Sequence, residues 1–300
     1  MAFYRSSKTM HVQLGNLLDR LQKGGRSGLL QKIFITWIKY DSSKPTPNSG
    51  YGASWSNEKN IYPASIIKII YAIATEAWLQ KDLIPESKET RRALNAMIKI
   101  SSNDATGFIV DLLTGSSSGP SLTGKGWENW QGQRQLINQW IAGLEWPELL
   151  GSNCCQKTWE DSPYGRDQDF YGPNSSNRNA LSTDGIARVL EAIMTDGFLS
   201  PSACKRTRDL LWRSIDRVDR KADPDNQVDG FIGAALPQGS QLWSKAGLMS
   251  TARHDAAWFS TPNGKPMLLV IFSVGRERSK DSSLLPTIAR KLFNYQLILQ

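Results

Sequence analysis

The chain has 300 residues, 40% of them hydrophobic and 21% charged, enough for a large buried core in one large domain or two interleaved ones. Its net charge of +8 comes from scattered Lys and Arg, with no basic run interleaved with aromatics, so a nucleic-acid-binding protein is the weakest reading. No stretch approaches the roughly 18 apolar residues of a membrane span, and Met1–Met10 has neither an apolar core nor a small-residue cleavage pattern of a signal peptide. With 2 His and no C-x-x-C spacing, neither a metal nor another cofactor is expected. Cys154, Cys155 and Cys204 are an odd set: either one bridge joins the vicinal pair to Cys204, or all three are free thiols.

In chain order, Val12–Gln22 has apolar residues at helical spacing and is closed by Gly24-Gly25. Ile33–Tyr40 is β-branched and aromatic and reads as a strand. Asp41–Gly50 is turn-forming, and Tyr51–Trp55 reads as the returning strand of a hairpin. Tyr62–Leu79 has apolar residues on every side of the helical wheel, and from Ile66 to Thr75 only Lys68 is charged, the pattern of a buried central helix entered at Pro63. Helices are predicted over Thr90–Ile100 and Ala105–Leu113, broken at Ser101–Asp104, and again over Trp127–Leu144 after the small-residue loop Ser116–Gly126. Glu145–Asn179 has no period, which at that length marks a functional or mobile segment. Ser182 and Thr183 cap a helix over Ile186–Met194, and Pro201 opens another over Ala203–Ile215. Strands follow at Gln241–Ala246, Ala256–Ser260 and Met267–Val274, the last two joined by the turn Thr261–Lys265, and an amphipathic helix over Ser283–Leu299 closes the chain. The expected fold is therefore α/β (α+β): an antiparallel sheet built from both chain ends with flanking terminal helices, plus an inserted all-helical region. The boundaries expected are 1–60 with 212–300 for the sheet-containing domain and 61–211 for the helical one, with an active site at their interface.

Within the central helix, Ser65 and Lys68 share one face one turn apart. Burial would lower the lysine's pKa toward proton-accepting range, and a hydroxyl beside such an amine is an activated nucleophile. The S-x-x-K pattern alone is unspecific, since it also occurs at Ser56–Lys59 and Ser202–Lys205; a helix cap with a snorkelling lysine is the ordinary alternative. Its order with two further motifs sharpens it: Ser101-Ser102-Asn103 between two helices, then Lys245-Ala246-Gly247 at a strand.

These motifs, with Tyr-Pro-Ala-Ser-Ile-Ile-Lys, Ser-Ser-Asn-Asp-Ala-Thr-Gly, Ser-Thr-Asp-Gly-Ile-Ala and Trp-Ser-Lys-Ala-Gly-Leu around them, resemble those of class A β-lactamases and penicillin-binding proteins over nearly the whole chain. The resemblance implies a serine hydrolase of the β-lactamase-like superfamily, in which Ser65 is acylated by an amide, lactam or peptide and Lys68 is its base. It implies that Ser101 passes a proton to the leaving nitrogen and that Asn103 bonds substrate and Lys68. Lys245 would give positive potential for a substrate carboxylate, and the N–H groups of Ser65 and Leu248, beside Gly247, would form the oxyanion hole. The implied partner is a small molecule or peptide, β-lactam or peptidoglycan-like, acted on by a monomer in an extracytoplasmic compartment.

Three departures bear on the activity. Ser102 replaces the middle Asp of the second motif. Ala246 removes the usual hydroxyl of the third, for which Ser250, Thr251 or Arg253 are the available substitutes. The Arg-x-Glu-x-x-Leu-Asn pattern that carries the deacylating glutamate of class A enzymes is absent, leaving Glu160, Asp161, Asp167 and Asp169 as candidates by location. The residues thus support acylation of Ser65 better than fast hydrolysis of the acyl-enzyme. A D-alanyl-D-alanine carboxypeptidase- or esterase-like enzyme is the alternative, and a non-catalytic peptidoglycan-like ligand-binding descendant the second.

Overall fold

The computed structural model describes residues 3–223 and 225–293. They form two compact units: residues 1–59 with 183–300, and residues 60–182.

The first unit is built on a six-stranded sheet. Its strands are β1 (Arg5–Ser6), β2 (Ile33–Lys39), β3 (Tyr51–Trp55), β4 (Gln241–Met249), β5 (Ala252–Ser260) and β6 (Met267–Val274), in the spatial order β1-β3-β2-β6-β5-β4. All pairings are antiparallel except that of the short edge strand β1 with β3. Every residue of β2 is buried, because both sheet faces are covered. On one face Ile33, Ile35, Trp37, Leu269 and Ile271 share a core with Leu14 and Leu18 of helix Lys8–Lys23 and Ile288 and Leu292 of helix Leu284–Phe293. Positions 294–299 of the expected closing helix lie outside the described residues.

The opposite face is covered by helix Thr183–Met194, which packs on β2, β5 and β6. Thr36 Oγ1 donates to Asp184 Oδ1 at 2.6 Å, and Tyr40 OH donates to Glu191 Oε1 at 3.1 Å. These bonds and its apolar stripe place the helix in the sheet unit, so the division falls at 182/183, where sequence patterning put it at 211/212. A run of helices looks uniform in sequence, and what each one packs against is not written in its period.

Strands β4 and β5 are longer than their patterns, while β6 matches its own. Lys245-Ala246-Gly247 lies inside β4, which continues to Met249 paired with Ala252 across a two-residue turn. Asn263 sits in the left-handed region, with φ 59°, in the β5–β6 turn. Gly52 is required for close packing, since a Cβ there would stand 2.2 Å from the Trp37 carbonyl oxygen.

The second unit is organised around helix Ile67–Gln80, in which every residue from Ile67 to Trp78 is buried, against helices Lys88–Lys99 and Asn103–Thr114. The single helix expected over Trp127–Leu144 is two, Gly124–Arg134 and Leu136–Ala142. They divide at Gln135, whose N–H is shared between the carbonyls of Gln131 and Gly132. The aperiodic segment 145–179 is pinned to the central helix by side chains. Tyr71 OH donates to the Gln156 carbonyl at 2.5 Å, while the Asn179 amide and the Gln156 backbone exchange two hydrogen bonds of 2.9 Å. Cys154 and Cys155 are free and wholly buried in this segment, and burial pushes both thiols up, Cys155 to about 12. Cys204 is also free and buried. No described helix is long and apolar enough to cross a membrane.

Candidate active site

Pro63 leads into a single 3₁₀ turn, Ala64–Ile66, before the central helix. Ala64 adopts φ 48°, a left-handed conformation that costs a residue with a Cβ on the order of 1 kcal/mol. Ser65 follows at the turn, half-buried, and Lys68 lies one helical turn on with its side chain fully buried.

Lys68 Nζ meets three acceptors, the Ser101 carbonyl at 2.6 Å, Asn103 Oδ1 at 2.8 Å and Ser101 Oγ at 3.2 Å. Burial lowers its pKa from 10.5 to about 7, and the Glu160 carboxylate opposes that shift. The two carbonyl oxygens can only accept, whereas the Ser101 hydroxyl can accept from an ammonium or donate to a neutral amine. The lysine can therefore take either protonation state within one set of partners, and a proton can pass between Nζ and Ser101 Oγ without rearranging them.

This arrangement follows from how the chain breaks between two helices. Ser101 has φ 61°, in the left-handed region, ending helix Lys88–Lys99. Ser102, not its neighbours, caps the next helix, its Oγ accepting from the Ala105 N–H at 3.1 Å. Ser and Asp are equivalent in that role, which accounts for Ser102 at the middle of the motif. Capping by Ser102 leaves Ser101 and Asn103 both turned to Lys68, where sequence alone could read all three as a helix stop.

Asn103 also donates from Nδ2 to Glu160 Oε2 at 2.9 Å. Of the four loop acids, Glu160 is thus the one bonded to the cluster. Asp161 is exposed nearby, Asp169 is exposed on helix Arg166–Tyr171, and Asp167 is buried against the Arg134 guanidinium as a structural ion pair. No sequence pattern pairs Asn103 with Glu160, which stand 57 positions apart.

Lys245, Gly247 and Leu248 stand on β4 in the sheet unit. Lys245 is fully buried rather than an exposed strand residue, and its Nζ donates to Gln227 Oε1 at 2.6 Å and to the Ala246 carbonyl at 2.8 Å. Gln227 lies in an unpatterned segment and carries no sequence signal. Beside Ala246 across the β4–β5 ladder is Asp255, wholly buried, whose pKa burial raises to about 7 against the pull of the Ile232 N–H. Arg253 is taken by the Ser279 and Gly230 carbonyls, at 2.9 and 3.2 Å, and by the face of Phe231, so it is not a free substitute for the missing hydroxyl. Leu248 is 54% exposed.

The antiparallel six-stranded sheet with its terminal helices and the helical second unit are the fold of the β-lactamase class. A model of the beta-lactamase enzyme family matches residues 78–296, and the chain belongs to that family. The match begins downstream of Ser65 and Lys68, so their assignment rests on the motif and the geometry. Three solved structures illustrate the likeness. A mutant of PBP-A, an acyl-enzyme complex with penicillin G, is 17% identical with a TM-score of 0.63, covering 98% of both chains. The beta-lactamase of Sphaerobacter thermophilus is 15% identical with a TM-score of 0.64, over 96% of this chain and 98% of that one. A beta lactamase of Burkholderia vietnamiensis is 14% identical with a TM-score of 0.65, over 98% and 100%. No curated protein matches the sequence.

Proposed function

We propose that the protein is a serine hydrolase that opens an amide, β-lactam or peptide bond through an acyl-Ser65 intermediate. The observation that carries this reading is Lys68, fully buried, held by Ser101 and Asn103, with a pKa lowered to about 7. An amine poised there accepts the Ser65 proton at neutral pH as Oγ bonds to the carbonyl carbon. The C–N bond then breaks, and Ser101 hands the proton from Lys68 to the leaving nitrogen. For Lys245, Gly247 and Leu248 the proposed roles in carboxylate and oxyanion binding rest on the motif order.

Deacylation falls to Glu160, the carboxylate bonded to Asn103. Water attacks the ester carbon as the carboxylate takes its proton, the bond between that carbon and Ser65 Oγ breaks, and Oγ regains its proton from Lys68, which the proton on Glu160 then restores. Glu160 is exposed, so bulk water competes for its carboxylate and does not hold one attacking water in place, and turnover should be slow. A carboxypeptidase- or esterase-like activity uses the same acylation step and is separated by substrate. The test is intact-mass analysis after incubation with a penicillin. An adduct on wild type and none on Ser65→Ala supports the reading; no adduct on either is evidence for the non-catalytic alternative.

A further inference from the structure

A groove of about 700 Å³ within the helical unit is lined by Asn103 and Glu160 and by further residues of helix Asn103–Thr114. Its walls combine two chemistries. Phe108, Trp159 and Tyr164 give aromatic surface, with the Trp159 and Tyr164 rings edge to face at 6.3 Å. Asp104, Glu160 and Asp161 give carboxylates, and among the described residues no ion pair neutralises any of them. Lys157 in the wall is matched by Asp111, its Nζ donating to Asp111 Oδ2 at 2.6 Å and Ser118 Oγ at 2.8 Å and lying 6.0 Å from the centre of the Trp159 ring, so Asp104, Glu160 and Asp161 remain in excess. The groove is therefore acidic in a chain whose net charge is +8.

A second observation points to a ligand. Thr158 lines the groove with only 8% of its surface exposed, and its Oγ1 has no hydrogen-bond partner. The Trp159 Nε1–H beside it is also buried and unpartnered. Buried polar atoms in folded proteins are nearly always bonded, so two adjacent orphans in the wall of an acidic, aromatic groove are available to pair with ligand atoms. An indole N–H can only donate and needs an acceptor, such as an amide carbonyl. Carboxylates with aromatic faces select a cation, and an ammonium gains from both. An anion would be repelled, and a neutral apolar group would desolvate the carboxylates without compensation.

We propose that this groove is a subsite for an ammonium-bearing peptide segment. The ammonium lies against Asp104, Asp161 and the aromatic rings, and a neighbouring peptide carbonyl accepts from Trp159 Nε1. The proposal deepens the reading of the candidate active site, since its position beside Asn103 makes the bound segment part of the substrate, but binding there needs no acylation.

The test uses the Ser65→Ala protein, which cannot be acylated, and two probes, Nα-acetyl-lysine N-methylamide and its uncharged counterpart Nα-acetyl-norleucine N-methylamide. Dissociation constants come from ligand-observed NMR titration. The lysine probe should bind at least about tenfold more tightly than the norleucine probe, and added salt should narrow the gap. Asp104→Asn combined with Tyr164→Ala, both exposed positions, should bring the two probes together, and Trp159→Phe should weaken both. Equal binding of the two probes, no saturable binding of the lysine probe, or full binding by the double variant would overturn the proposal. Penicillin acylation of the wild type is measured separately. Its failure with lysine-probe binding intact removes the Ser65 reading and leaves the groove, and the reverse result removes the groove alone.

Discussion

Replacing Lys68 by Met tests the physical basis of the site. In the folded chain the lysine pKa is about 7, against 10.5 when exposed. That difference corresponds to about 5 kcal/mol of penalty on the charged form. Because the folded value lies below the unfolded one, the unfolded chain binds more protons between these two pH values, and wild-type stability rises with pH across that window. Below pH 7 the full penalty is present, and above 10.5 it has gone. Urea unfolding of wild type and Lys68→Met from pH 6 to 9 should show their difference flat at first. It should then shift by about 2–3 kcal/mol in favour of wild type between pH 7 and 9. Groups present in both proteins cancel in the difference. The Met variant also takes a donor away from the Ser101 carbonyl and from Asn103 Oδ1, a pH-independent offset of about 1–3 kcal/mol. In the same pH series, the acylation rate of wild type with a chromogenic penicillin should rise with an apparent midpoint near 7. Parallel stability curves for the two proteins, or a rate still rising about tenfold per pH unit at pH 9, would refute a neutral Lys68 as the base.

At position 101, glycine and alanine separate conformation from chemistry. Both remove the hydroxyl and should slow acylation about a hundredfold, but Ser101→Gly should be about 1 kcal/mol more stable than Ser101→Ala, because φ 61° suits only the glycine. An alanine variant as stable as the glycine variant in urea would contradict the left-handed reading. Glu160→Gln should lengthen the lifetime of the penicillin adduct at least about tenfold. It should also move the acylation midpoint to lower pH, since the carboxylate holds the Lys68 pKa up. An unchanged lifetime by mass spectrometry would remove Glu160 from deacylation.

Most of the fold was legible in the chain's periodicity. The hairpin strands at 33–40 and 51–55, the all-apolar helix after Pro63 and the three closing strands matched their patterns to within a few residues, because each buries a face whose period its sequence must keep. Strand β1 was not legible, since its two residues are exposed and owe their place to pairing with β3 alone. Helix 183–194 was legible as a helix but not as part of the sheet unit, because that membership lies in Thr36 and Tyr40, far away in sequence. In the candidate site, Lys68, Ser101 and Asn103 were legible by spacing and order. That Ser102 performs the capping, that Gln227 holds Lys245 and that Asn103 reaches Glu160 were not, since each is a contact between distant, unpatterned segments. The acidic wall of the groove was scattered through the sequence as ordinary surface charge.

The most direct test of the account is the mass of the intact protein after exposure to a penicillin, followed over time and localised by peptide mapping. The account predicts one adduct of the whole penicillin on Ser65, formed faster at pH 8 than at pH 6 and slow to leave. It predicts no adduct on Ser65→Ala. An adduct mapped to any other residue, or none on wild type after prolonged incubation, would contradict it.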